Sequence, residues 1–334
     1  MNLTRDSHYV PQSTLRRWSE DGVRVWAYRL LVSHGSVPVW SLQSIRGLVR
    51  HADLYTSFAD GRDDDEFEKF ITREFEEPGQ EAVEKLLSES QMSPGDWRNI
   101  AKFVAAQQLR TPLFLVEYIR RAKGQIQESL EAIVRDFESS PEKLKREITD
   151  TPHSFLKNSL KVRIEPSSEG FASVSADVRS VRSLWLDVQR HHLTTNVERI
   201  CAHRWRAAEP ADGSEWPLTD HPVLTLNYYG PTAYDFRAGW GRPGSEFFMP
   251  VSPRLAVYTQ VGSRSTGRFA FDADQTATVV KLSLERAFRW VIARSPSEAI
   301  SQLRQREINA ERFEEEREAW RAWHTMQRKA EQEF

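Results

Sequence analysis

Two polar side chains stand where apolar ones are expected. In the segment "SPGDWRNIAKFVAAQQLR", Ile100, Phe103 and Val104 mark the apolar face of a helix over 94–110. Gln107 follows Phe103 by four positions and Val104 by three, and Arg110 follows Gln107 by three. At helical spacing all of them share one face. A buried arginine requires a partner, because an unpaired charge in the interior costs several kcal/mol. The helix over 65–76 raises the same question. Phe67, Phe70 and Ile71 define its apolar side, and Glu74 falls on it. Glu74 is thus the natural partner of Arg110, and equally a candidate metal ligand or general base. Glu76 and Glu77 are expected in solvent. Asp220, in "WPLTDHPV", sits between an apolar stretch and a proline, at a strand end or tight turn. It could cap its own turn or present a catalytic carboxylate. His8 and Gln12, in "SHYVPQSTLRRW", are held by Tyr9 and the turn at Pro11. His8 either staples the N-terminus to the helical layer or joins Gln12, Glu74, Gln107, Arg110 and Asp220 in one polar cluster.

Such a set suggests phosphoryl chemistry. Glu74 and Asp220 would hold Mg²⁺ or Mn²⁺, hard cations that favour carboxylates. His8 would act as general acid or base, Arg110 would stabilise phosphate charge, and Gln107 would orient water or substrate. The bland alternative is an Arg110 paired with a core carboxylate for structure alone. Other candidates are weaker. His191, His192, Cys201 and His203 match no standard zinc spacing, and Cys201 would alternate with His203 on a strand. Arg16 and Arg17 could touch phosphate but form too short a run to be diagnostic. There is no GxGxxG, P-loop or GxSxG motif, hence no sign of a nucleotide cofactor.

The elements that must position these residues are a mixture. "VRVWAYRLL" and "VPVWSLQ" flank "SHG" and read as a β-hairpin. Residues 63–90 read as helix, entered through three aspartates and broken or kinked at Pro78-Gly79. Ser93 and Pro94 suit an N-cap and first helical position, and Pro112 ends or kinks that helix before a long one. "SSPEKLKREI" repeats the start signal. From about 195 short apolar runs, including "HPVLTL", "EFFMPVSP" and "RLAVYTQVG", read as strands of a largely antiparallel sheet. "DADQTATVVKLSLERAFRWVIARS" returns to helix. The tail is a charged helix whose Phe313, Trp320 and Trp323 form one apolar stripe. The expected fold is α+β: one intertwined unit over 1–300, and a loosely attached helix over 301–334 whose removal from Ser301 leaves the body folded.

The 334 residues carry a net charge of −2 and are 39% hydrophobic. That balance supplies a core but no global attraction to nucleic acid or acidic membrane. Cys201 is the single cysteine, which excludes an intrachain disulfide and any multi-cysteine zinc site. No apolar run approaches the roughly 18 residues of a membrane helix, and the N-terminus lacks an apolar signal region. A cytoplasmic protein without membrane contact is expected.

The motifs resemble the bacterial domain of unknown function 4238 family. The family's HYVPQ segment and following LRRF-like pair are matched by His8-Tyr9-Val10-Pro11-Gln12 and Leu15-Arg16-Arg17-Trp18. An aspartate-aromatic element after the hairpin is matched by Asp53-Leu54-Tyr55, and a QxxRTP motif by Gln107, Arg110, Thr111 and Pro112. The TSDNPV-like and PLSP-like elements read Leu218-Thr219-Asp220-His221-Pro222-Val223 and Met249-Pro250-Val251-Ser252-Pro253. His221 replaces the usual asparagine. The resemblance covers residues 7 to about 295 and implies no known activity, but its polar landmarks coincide with those singled out by helix geometry. The leading expectation is a divalent-metal-dependent phosphodiesterase or nuclease acting on nucleic acid or another phosphate-containing ligand. The alternatives are a small-ligand sensor, or a non-enzymatic binding or regulatory module. In the module the cluster is structural, and the C-terminal stripe docks a protein partner.

Overall fold

The computed structural model describes residues 6–59, 61–139, 156, 159–166 and 172–334. The fold is α+β, as expected. Two antiparallel-dominated sheets carry it. The smaller has the strand order Leu218–Thr219, Trp290–Ala293, Arg24–Arg29, Trp40–Ser44. The larger has the order Ala233–Asp235, Leu224–Gly230, Ser245–Ser252, Leu255–Gln260, Arg206–Glu209, Arg268–Ala270, with its last pair parallel. The hairpin read at the N-terminus is present, in register from Arg24↔Ser44 to Tyr28↔Trp40. Its Val25 and Ala27 point into the core, as the period of two requires.

The helical layer follows the first two strands of the smaller sheet in the chain. The helix Pro94–Leu109 begins with the expected cap: the Ser93 hydroxyl accepts from the Asp96 amide, and the Asp96 carboxylate accepts from the Ser93 amide. Pro112 opens the next helix, Pro112–Ser139. The helix Glu77–Leu87 packs on Pro94–Leu109 so closely that a Cβ at Gly79 would lie 2.3 Å from Phe103 Cβ. Only glycine lets the two backbones approach this far. The expected break at Pro78-Gly79 is instead one continuous helical path, because a π-helical turn, Thr72–Glu76, absorbs the irregularity just before the proline.

Three other readings differ. Trp290–Ala293 is a central strand and not helix, its β-branched Val291 and Ile292 fully enclosed between neighbours. Cys201 closes a short helix, Val197–Cys201, and the strand begins only at Arg206. The helix Val181–His191 and the antiparallel strands Leu160–Pro166 and Ala172–Val178 were not read. The Ser-Pro start signal at 140–141 lies outside the described residues. Among the described residues no helix is long and apolar enough to cross a membrane.

The C-terminal helix Ala310–Glu333 exists, but it is not loosely attached. Glu307–Ile308 adds a parallel strand to Leu31–Val32, and Tyr28 donates its hydroxyl proton to the Arg304 carbonyl. Trp320 and Trp323 pack on the main core, and the Arg29 guanidinium lies 4.4 Å from the Phe313 ring. The stripe expected to dock a partner therefore faces the protein's own body. Its polar residues hide a second anchor: Glu331 is enclosed against Arg182. High charge density disguised a helix that buries both its aromatic and its key acidic face.

Candidate functional site

Arg110 is the hub. It follows the last turn of Pro94–Leu109, its amide still bonded to the Ala106 carbonyl, and is 2% exposed. Its Nη1 donates to Glu76, its Nη2 donates to the His8 carbonyl at 2.6 Å, and its Nε points to the Tyr55 hydroxyl at 3.3 Å. A second carboxylate, Glu68, stands 3.6 Å from Nη2. The Tyr55 hydroxyl in turn donates to the Arg110 carbonyl, and Gln107 Nε2 donates to Glu76 at 3.1 Å. Burial alone would lower the Arg110 pKa, but Glu76, Tyr55 and Glu68 outweigh it and the net direction is upward. Arg110 is a permanent, fully enclosed cation.

The carboxylate that meets Arg110 is Glu76 and not Glu74. In the π turn the Glu77 amide bonds back five residues to the Thr72 carbonyl. The residues of that turn therefore rotate less per step than helical counting assumes. Phe75 and Glu76 swing inward, while Glu74 swings out. Its side chain is 44% exposed and accepts from Arg73 Nε at 2.9 Å. Glu76, expected in solvent, is the buried partner. Glu68 was missed because it lies beside the Phe67 face, with no motif to mark it. Burial raises its pKa against the opposing pull of Arg110 and of Ser7, whose hydroxyl donates to it at 2.6 Å.

His8 reaches the hub through its backbone. The strand Asp6–His8 pairs with Arg50–Ala52, placing His8 opposite Arg50. Ser7 points to Glu68, so the alternation of a strand sends the His8 imidazole to the other side. Burial holds the His8 pKa below its usual value, although the Ile45 and Arg46 backbone groups beside it act in the opposite direction. Gln12 does not join: its Oε1 lies 3.5 Å from Arg16 Nη2, in an exposed pair. The rest of the opening motif builds core. Tyr9, Val10, Leu15 and Trp18 are buried, and Trp18 Nε1 donates to the Trp216 carbonyl. Arg17, considered for phosphate, donates to Gln80 and Glu84.

Asp220 is enclosed at 1% exposure. Its Oδ1 accepts from the Phe288 amide at 2.8 Å and its Oδ2 from the Arg289 amide at 2.7 Å. It caps the turn that leads into the strand Trp290–Ala293 and not its own turn. Burial pushes its pKa up to about 6, against these amides. The next residue, His221, lies with Nδ1 2.6 Å from Thr111 Oγ1, and burial lowers its pKa to about 3. The sequence of contacts therefore runs His8, Arg110, Thr111, His221, Asp220. Tyr9 adds a second bridge, its buried phenol raised first by burial and then by Asp220 and Tyr55. His8, by its carbonyl, and Gln107 meet at the Arg110 cluster. Asp220 is joined to it only through the chain neighbours His221 and Thr111, its own oxygens facing the Phe288 and Arg289 amides. Glu74 and Gln12 stay outside. Tyr55, Thr111 and His221 were present in the quoted motifs but had been given no role.

The pair proposed as metal ligands does not fit a shared ion. Glu74 is turned to Arg73 in solvent, and both Asp220 oxygens face backbone amides. Among the described residues, Asp64, Asp65 and Glu66 place ligand atoms within 4.8 Å of one another. They open a helix, and Lys69 already pairs with Asp65 and Glu66. Among the described residues the histidine–cysteine set does not gather three ligand atoms within 4.8 Å of one another. His203 Nε2 lies 2.6 Å from the Trp240 carbonyl, and burial raises the Cys201 thiol to about 11, which disfavours the thiolate.

Neither a curated protein nor a solved structure matches this chain. A family model does, over residues 7–297, under the description "Protein of unknown function (DUF4238)". That span contains all the motif residues that meet at Arg110 and ends just before the C-terminal strand and helix. The chain belongs to the DUF4238 family.

Proposed function

We propose that this protein is a non-enzymatic binding or regulatory module in which the motif residues knot the fold together. One observation carries the reading: the Arg110 guanidinium, 2% exposed, is already committed to Glu76, the His8 carbonyl and Tyr55. An arginine that recognises phosphate needs open donors, and this one has its donors turned inward. Asp220 is likewise occupied by two amides. The opening and QxxRTP motifs thus tie an N-terminal strand and two helices to Arg110, while Asp220 ties the turn before a central strand.

Metal-dependent phosphodiester hydrolysis remains the second reading, for one reason. Gln107 Oε1 is buried without a hydrogen-bond partner among the described residues, beside two carboxylates that keep slight solvent contact, Glu68 at 12% and Glu76 at 15%. Under that reading Glu68 and Glu76, not Glu74 and Asp220, would receive Mg²⁺ or Mn²⁺.

The test is cleavage of single-stranded and duplex DNA and RNA by purified protein with Mg²⁺, Mn²⁺ or chelator, with Mn²⁺ titration by calorimetry alongside. The module reading expects no metal-dependent cleavage, and an Arg110→Ala variant that loses cooperative melting. Cleavage that disappears in a Glu68→Gln variant with unchanged melting would overturn it.

A further inference from the structure

One end of the larger sheet carries a different kind of arginine. Arg199, Arg204, Arg242 and Arg264 are all exposed. Among the described residues none of them forms an ion pair with a carboxylate. The neighbouring Glu198 is turned to Arg98. Two of the loops involved, "FRAGWGRPG" over 236–244 and "VGSRSTG" over 261–267, contain no acidic residue. Asp235, just before the first loop, acts electrostatically on Arg242, but this face still carries a local excess of arginine in a protein of net charge −2.

The contacts that unite these segments are specific. Arg204 and Arg264 line the same surface depression, of about 590 Å³, together with His203. His203 Nε2 approaches the Trp240 carbonyl at 2.6 Å, which ties the depression to the 236–244 loop. Arg199 Cδ lies 3.9 Å from where a Cβ would stand on Gly241. Arg242 Nη2 donates to the Tyr229 hydroxyl at 3.1 Å, and Tyr229 is 66% exposed. Gly244 and Gly262 take positive φ values of 81° and 89°, which only glycine adopts without strain and which bring bare backbone to the rim. The result is a concave, glycine-edged surface with guanidinium groups around it and an exposed aromatic ring beside it.

We infer that this face binds single-stranded nucleic acid. Unpaired guanidinium groups supply the backbone contacts, releasing counterions as they neutralise phosphates. Tyr229 supplies a platform on which a base stacks, an interaction open to any base. Reading a duplex requires a helix or β-ribbon that projects into the groove, and a depression edged with glycine is the reverse of that shape. The inference deepens the binding-module reading by naming its ligand class. It stands on residues that share no contact with Arg110, so the two can fail separately.

The experiment is fluorescence anisotropy of the full chain with labelled 20-nucleotide single strands of DNA and of RNA, and with the matching duplex, between 50 and 200 mM salt. Wild type is expected to bind a single strand more tightly than the duplex, with affinity falling as salt rises. The double variant Arg204→Glu/Arg264→Glu should bind at least tenfold more weakly, with a salt slope shallower by about 1.4, the value for two lost single-strand phosphate contacts. Tyr229→Ala should weaken binding about tenfold and leave the salt slope unchanged. A control with the same change in net charge, Arg317→Glu/Arg321→Glu on the C-terminal helix, should bind like wild type. All variants are compared by thermal melting to confirm the fold. Three results would each overturn the inference: no binding of either single strand by wild type, equal weakening in the control, or duplex binding that is tighter and indifferent to Tyr229. Cleavage dependent on Glu68 would instead defeat the module reading and leave this face standing.

Discussion

Both oxygens of Glu331, three residues from the end of the chain, accept from one guanidinium: Oε1 from Arg182 Nε at 3.0 Å and Oε2 from Arg182 Nη2 at 2.8 Å. Both side chains are fully enclosed. Glu331 also accepts from the Phe58 amide at 2.7 Å and the Ser180 hydroxyl at 2.8 Å, so its charge is solvated by the protein itself. Gln327 and His324, one and two turns earlier on the same helix, complete the enclosure of Arg182. The C-terminal helix is therefore the counterion of the body.

Removal of that counterion has a clear expected result. Glu331→Ala leaves Arg182 as an unpaired buried cation and should cost about 3–5 kcal/mol. Truncation from Ser301 additionally strips the aromatic stripe and the Glu307–Ile308 strand and should abolish cooperative melting. Replacing both charges with apolar residues, Arg182→Met/Glu331→Leu, should cost less than Glu331→Ala alone, because no charge is left stranded. Urea denaturation followed by circular dichroism orders the three variants. A truncated chain that melts cooperatively near the wild-type midpoint would contradict the assignment.

The π turn makes two glutamates of one helix unequal. Glu76→Ala should destabilise by roughly 3 kcal/mol, because it removes the closest partner of enclosed Arg110 and the acceptor of Gln107. Glu74→Ala, which removes only an exposed contact with the adjacent Arg73, should stay within about 0.5 kcal/mol of wild type. Matched urea titrations of the two variants decide the point, and equal losses would place the π turn in the wrong register.

His221 and Asp220 are adjacent and oppose each other in pH. The folded-state pKa of His221 is about 3, below its ordinary 6.5, so the unfolded chain binds a proton that the folded one refuses. Its contribution is fully present above about 6.5 and is lost as pH falls towards 3. Asp220, raised to about 6 from 3.8, acts in the reverse sense: the folded form holds the proton, and stability declines as pH rises through that window. In a His221→Asn variant the first contribution vanishes. The stability of wild type minus that of the variant should therefore climb as pH increases from about 3 to 6.5. Denaturation midpoints of the two proteins at matched pH supply the difference, and a flat difference would mean that His221 titrates normally in the fold.

How far the sequence alone reached can be judged at particular residues. Wherever local geometry is decided by nearest neighbours, it was legible. The Ser93 cap, the prolines that open Pro94–Leu109 and Pro112–Ser139, the period-two hairpin and the inward placement of Gln107 and Arg110 all follow from contacts within a turn or two of chain. That Arg110 must be paired was legible too, because an enclosed arginine demands partners. The partner's identity was not. Helical counting assumes about 100° per residue, and a single π turn exchanges Glu74 for Glu76 without leaving a residue-type signature beyond the proline that follows.

The remaining decisions belong to tertiary structure. Whether His8 acts by ring or by carbonyl depends on which face of a short strand meets the helix, and that is set by the pairing of His8 with Arg50. Whether "RWVIA" is helix or strand depends on the vacancy between Arg24–Arg29 and Leu218–Thr219, a long-range pairing that overrides local preference. The charged tail shows the same limit most plainly. Its composition alone describes a solvated helix, because a sequence records the charges on a helix but not the opposite charge that waits for it some 149 residues away. Sequence determined which residues had to find partners; only the assembled fold decided which partners they found, since burial and pairing are properties of surfaces brought together and not of the chain taken one residue at a time.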